Sequence, residues 1–140
     1  MDFEVRIIKC AQVSQLERIY RAVGWYDESF SPEAMAEIVP NSAIFAAAFV
    51  NNEMVGMGRL LSDNVSDGCI QDVAVLPEFQ GHGIGRAIVR KIVDEALLRG
   101  IDWLQLIAAP GNENFYHSLG FEVMQNHTPM KFNPDFIQKL

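Results

Sequence analysis

Residues 80–86, Gln80-Gly81-His82-Gly83-Ile84-Gly85-Arg86, are the part of this sequence best suited to hold a ligand. Glycine at every second position lets a backbone turn sharply and approach a bound group closely. A largely apolar run, residues 69–76, enters the turn through Pro77, and a helix-like pattern leaves it. The first amides of such a helix have no intrahelical partner and, with the positive end of the helix dipole, favour a phosphate or pyrophosphate. Arg86 adds cationic charge in the first turn. Two familiar anion loops do not fit. No Gly-Lys-Ser/Thr follows Gly85, and the spacing is G-x-G-x-G rather than the dinucleotide-binding G-x-G-x-x-G.

Other residues with chemistry are sparser. Asp72 lies in the strand-like run that leads to the turn, and Asp27 and Glu28 lie in an aromatic, acidic stretch, Trp25-Tyr26-Asp27-Glu28-Ser29-Phe30. Each carboxylate reads equally as a proton acceptor or as a satisfied or solvated charge. His82, His117 and His127 have no metal-ligand spacing and there is no Cys/His cluster, so no metal is expected. Cys10 and Cys69 fall in apolar runs without a CxxC, which predicts reduced, packed thiols and a cytoplasmic setting.

The elements that must position these residues follow from hydrophobic period. Phe3, Val5 and Ile7 alternate with charged neighbours as in a half-buried strand. Ser14-Gln15-Leu16-Glu17 reads as a capping box opening a helix whose Leu16, Ile19, Tyr20 and Val23 share a face. Ser31-Pro32-Glu33 opens a second helix that Pro40 should stop. Residues 43–50 and 54–61, joined by Asn51-Asn52, read as a hairpin, with Gly56 and Gly58 allowing close packing or a bulge. Residues 69–76 are the next strand. A helix then carries Ile84, Ile88, Val89, Ile92, Val93, Ala96 and Leu97 at spacings of three and four, and Gly100 stops it. Residues 103–108 form a strand, residues 112–118 a short helix, and residues 121–124 and 130–132 possible final strands. Hairpins first and a βαβ unit later predict an α+β domain with a mixed, mostly antiparallel twisted sheet flanked by helices.

At 140 residues the chain suits one domain over 1–140. A net charge of −7 with scattered basic residues disfavours nucleic acid and is compatible with a cationic substrate such as an amine. The chain has no run of apolar residues long enough to span a membrane, and its acidic start is unlike a signal peptide.

Gln80-Gly81-His82-Gly83-Ile84-Gly85 resembles the Q/R-x-x-G-x-G/A signature of the GNAT superfamily of acyl-CoA-dependent N-acyltransferases, and Phe115-Tyr116-His117-Ser118-Leu119-Gly120-Phe121 resembles its closing F/L-Y-x-x-x-G-F signature. The element order matches as well, so the resemblance extends over residues 3–132. It implies the GNAT fold and transfer of the acetyl group of acetyl-CoA directly to a primary amine. The backbone of Val73, Ala74 and Val75 would pair with the pantetheine arm in a gap before the next strand. Gln80, Gly81, His82, Gly83, Ile84, Gly85 and Arg86 would hold the pyrophosphate. The Val73 amide, or a neighbouring one, would bind the oxyanion and Tyr116 would protonate the departing thiolate, with Asp72, Asp27 or Glu28 as the base. Many family members carry an asparagine where this chain has Ala109, which leaves Asn112 as the nearest substitute. The implied acceptor is a small, arylalkyl or other hydrophobic amine lying against Trp25, Tyr26 and Phe30. A peptide or protein amine, and an acyl-CoA-binding module without turnover, are the alternatives. Residues 130–136 would serve a homodimer interface.

Overall fold

The structure, a computed structural model, describes residues 1–139. The hairpin anticipated at its centre is present. β2 (Ile44–Val50) and β3 (Glu53–Ser62) pair antiparallel around Asn51 and Asn52, both at positive φ (50° and 65°). Two left-handed residues in a two-residue loop make the turn whose twist matches the strands it joins, and asparagine tolerates that conformation. β1 (Glu4–Ile7) flanks β2, β4 (Asp67–Val75) flanks β3, and β5 (Trp103–Gln105) closes a five-stranded sheet in the order β1-β2-β3-β4-β5. All pairs are antiparallel except β4 with β5, so the sheet is mixed.

α3 (Ile84–Leu98) lies on one face of this sheet. Gly56 and Gly58 let it sit close: a Cβ on Gly58 would lie 2.8 Å from Ile88 Cγ2 and 3.1 Å from Ile92 Cδ1. Ile84, Ile88, Val89, Ile92 and Ala96 are buried along it, each isoleucine contributing about 1.5–3 kcal/mol of burial. α1 (Val13–Ala22) and α2 (Pro32–Asn41) bury Leu16, Ile19, Tyr20, Met35 and Val39.

The chain's contacts divide it into two units, Met1–Leu106 with the sheet and α1 to α3, and Ile107–Leu140 with α4 (Glu113–His117) and the tail.

Four sequence expectations need correction. α1 starts at Val13, with Gln12 at the cap and no side-chain cap bond, so Ser14 lies inside the helix; packing of its buried face outweighs a local capping signal. α2 runs through Pro40 to Asn41. The Asn41 amide donates to the Glu37 carbonyl (2.8 Å) and the Ser42 hydroxyl to that of Ile38 (2.7 Å), so side chains satisfy carbonyls that the helix end leaves open. β5 stops at Gln105 instead of 108. Residues 121–124 and 130–132 form no strand, because nothing in their own unit offers an edge to pair with. Ser31 does cap α2, its hydroxyl accepting from the Ala34 amide at 3.1 Å.

Candidate active site

The register of β4 builds the site. Its parallel pairing with β5 ends at Cys69↔Gln105, while β4 itself continues to Val75. From Ile70 onward the β5-facing edge of β4 is therefore unpaired among the described residues. On the other edge, the Ala43 amide donates to the Leu60 carbonyl and the Leu76 amide to the Val55 carbonyl (2.9 and 2.8 Å), which makes the odd-numbered residues of β3 the ones bonded to β4. Met57 then pairs with Ala74 and Arg59 with Gln71, and between them Gly58 alone faces two residues, Asp72 and Val73. This is a β-bulge. It leaves the backbone groups of Val73 and Val75 directed to the open edge. The Gln80 side-chain amide, donating to the Val75 carbonyl at 3.0 Å, confirms the direction of that residue.

β4 hands over to a single 3-10 turn, Pro77–Phe79, and then to the glycine segment. Gly81 and Gly83 sit at φ 80° and 83°, a region other residues avoid, and nothing lies within 4 Å of a Cβ placed on either. Gly83 caps α3, whose first closing bond is Ala87 N–H to Gly83 O at 3.0 Å. The amides of His82, Gly83, Ile84 and Gly85 donate to no carbonyl among the described residues. A row of amides without carbonyl partners, at the end of a strand edge that is itself unpaired, has the donors to take a pyrophosphate carrying an extended amide-bearing arm. His82 points back into the turn, its Nδ1 donating to the Phe79 carbonyl at 3.2 Å.

Asp72 occupies the bulge at φ 55°. Its Oδ2 accepts from the Tyr20 hydroxyl at 2.8 Å and from Arg59 Nε at 2.7 Å. The Arg59 and Asp72 side chains are only 19% and 25% exposed. Burial first, and then the Asp72 charge, push the Tyr20 phenol well above its ordinary range. Tyr20 and Arg59 were missed as site residues in the sequence. Arg59 had a visible signal, a lone charge in the apolar residues 54–61, whereas Tyr20 looked like one more core residue of α1.

The α1–α2 loop keeps Trp25 and Phe30 46% and 43% exposed, with Trp25 edge-on to Tyr20 at 6.3 Å. Tyr26 lies under the Arg21 guanidinium (3.9 Å), which also pairs with Glu28 at 2.9 Å. The Ser29 backbone amide bonds to Asp27 and holds that carboxyl below its usual range. Neither Asp27 nor Glu28 is brought to Asp72 by a contact.

In the unit Ile107–Leu140, the expected short helix is α4, and Tyr116 lies in it with Phe115 and Phe121 edge-on at 4.9 and 5.9 Å. Burial raises the Tyr116 phenol. Asn112 precedes α4 at its N-cap without a side-chain cap bond, and His117 is exposed. Cys10 is exposed rather than packed, because it follows β1 in an irregular segment, and Cys69 is half-buried. The described residues hold no group of three His, Cys, Asp or Glu able to bind a metal, and no helix long and apolar enough to cross a membrane.

Comparison with known proteins gives the family of the chain. Residues 10–121 match the acetyltransferase (GNAT) family, and the chain belongs to it. It is 31% identical over 111 residues to the uncharacterized N-acetyltransferase ycf52 of Pyropia yezoensis, covering 76% of this chain and 63% of that one. It is 34% identical over 121 residues to the histone acetyltransferase TAP1 of Glycine max, covering 79% of this chain and 52% of that one. The chain thus spans half to two thirds of the length of these relatives. Among solved structures, the GNAT family protein SP0256 of Streptococcus pneumoniae superposes with a TM-score of 0.80 at 25% identity, covering 94% of this chain and 98% of that one. The family uses acetyl-CoA, as the resemblance implied.

Proposed function

We propose that the protein transfers the acetyl group of acetyl-CoA to a primary amine of a small molecule. The observation that carries this reading is the unpaired edge of β4 beyond Cys69, continuous with the glycine cradle at the start of α3. A pantetheine arm carries two amides, and an open strand edge offers them Val73 and Val75 as partners in the manner of an added strand. His82, Gly83, Ile84 and Gly85 offer amides to the pyrophosphate, with Arg86 as the adjoining cation.

The amine nitrogen, having lost its proton, attacks the thioester carbonyl carbon. The developing oxyanion is stabilised by the Val73 amide, a donor already aimed at the open edge. As the carbon–sulfur bond breaks, the thiolate takes a proton from Tyr116, whose phenol stays neutral because burial raises it. The nitrogen, positively charged after the attack, releases its extra proton to water as the adduct collapses to the amide, and solvent returns a proton to the Tyr116 phenolate, leaving amide and free CoA thiol as products. The exposed Trp25 and Phe30 in the α1–α2 loop favour an arylalkyl or otherwise hydrophobic amine.

A second reading, a peptide or protein lysine as acceptor, is favoured by the similarity to the soybean histone acetyltransferase. Release of CoA thiol from acetyl-CoA, measured against 2-phenylethylamine, spermidine and a lysine-containing peptide, separates the two. Higher kcat/KM on phenylethylamine or spermidine supports the small-amine reading, and preference for the peptide replaces it with the second.

A further inference from the structure

We propose that Asp72 serves this reaction as a positioning residue: its carboxylate, tied to Tyr20 of α1 and Arg59 of β3, locks the bulge that aims the Val73 amide at the open edge of β4. The proposal rests on the acetyl-transfer reading and gives Asp72 a role other than proton acceptor.

Three observations support it. First, Asp72 stands at φ 55° in the middle of a strand, a conformation that residues with a Cβ adopt only when something holds them there. Aspartate and asparagine tolerate it better than other residues, which limits the cost. Second, the conformation has a consequence for the face Asp72 uses. Val73 lies on the α3 face, where its Cγ2 is 3.4 Å from a Cβ built on Gly58, and Asp72 turns to the opposite face to meet Tyr20. Third, the holding groups come from two different elements and converge on one oxygen, Oδ2, at 2.8 and 2.7 Å. They are partly buried, so water screens the ion pair less than it would at the surface. Releasing the carboxylate leaves the Arg59 charge without its partner and lets the bulge relax toward regular pairing. Regular pairing would turn the Val73 amide away from the open edge.

Convergence on a single oxygen makes the test sharp. In Asp72→Asn the amide oxygen can take the place of Oδ2 and accept both hydrogen bonds, and asparagine is at ease with positive φ. In Asp72→Ala the anchor is gone and the φ is costly. We would follow the Val73 amide resonance of the free protein, the Kd for acetyl-CoA, and kcat on whichever of the three amines turns over. The expected result is a Val73 resonance and a Kd near wild type in Asp72→Asn, with kcat reduced by less than about tenfold. In Asp72→Ala the resonance moves and the Kd rises by about tenfold or more, since an enforced backbone conformation is lost. Should Asp72→Ala not fold, Tyr20→Phe removes one of the two bonds, and it is expected to move the Val73 resonance and raise the Kd by about threefold.

A fall in kcat of about 10²-fold or more in Asp72→Asn, with the resonance and Kd unchanged, would identify Asp72 as a base and overturn the proposal. An unmoved Val73 resonance in Asp72→Ala, or in Tyr20→Phe, would overturn it too. If wild-type protein fails to bind acetyl-CoA, the functional reading falls, while the resonance of the free protein still decides whether Asp72 holds the bulge.

Discussion

At the residue scale, two tyrosines do different work although burial raises both phenols. In the proposed mechanism Tyr116 is the acid, and that role requires its neutral form to persist at the working pH. With its pKa raised above the free value of about 10, the acid form survives to higher pH. Activity limited by this group should stay level through pH 9 and begin to fall only above about pH 10, read from kcat against pH. Tyr20 keeps its proton in a hydrogen bond to the Asp72 carboxylate. Its stabilising effect is complete below the unfolded pKa of about 10 and is lost as pH rises toward the folded value. Tyr20→Phe should cost about 1–2 kcal/mol in urea unfolding at pH 7. The variant should also lose less stability between pH 9 and 11 than wild type does. The surface pair Arg21–Glu28, by contrast, is exposed on both sides, and removing it should change stability little.

At the scale of elements, α3 packs its isoleucines onto the sheet at the place where Gly56 and Gly58 leave room for them. Gly58→Ala would place a Cβ 2.8 Å from Ile88 Cγ2 and 3.1 Å from Ile92, and both neighbours sit in the buried face of α3. The helix must shift outward, at a cost of about 1–3 kcal/mol in urea unfolding. Because the N-terminus of α3 carries the amide cradle, acetyl-CoA affinity should weaken in the same variant, measured by calorimetry. Much of this arrangement was legible in the sequence. The hairpin was announced by two apolar runs around Asn51-Asn52, and the cradle by Gly81, Gly83 and Gly85 before an apolar helical stripe. Gly56 and Gly58 were readable as allowing close approach, though not as the seat of α3. The bulge at Asp72 was not legible, because one extra residue in β4 leaves the hydrophobic pattern of residues 69–76 undisturbed. Its anchors, Tyr20 and Arg59, are separated from Asp72 by 52 and 13 positions, and no local period connects them.

At the scale of the whole molecule, charge and chain length matter most. A net charge of −7 should draw cationic amines toward the protein, so kcat/KM for spermidine should fall as salt is raised while that for an uncharged-side-chain monoamine falls less. The final strands expected at 121–124 and 130–132 were the least successful part of the sequence reading. Their residues alternate well enough, but a strand exists only through its partner, and the pattern alone does not supply one.

The most direct test of acetyl transfer through these residues is release of CoA thiol from acetyl-CoA in the presence of 2-phenylethylamine, spermidine or the lysine peptide, for wild type and Tyr116→Phe side by side. The account predicts turnover by wild type on at least one amine, and in the variant a kcat lower by about 10²-fold with an unchanged Kd for acetyl-CoA. Equal kcat in the two proteins would contradict the role given to Tyr116, and binding of acetyl-CoA without turnover on any amine would contradict the enzymatic reading itself.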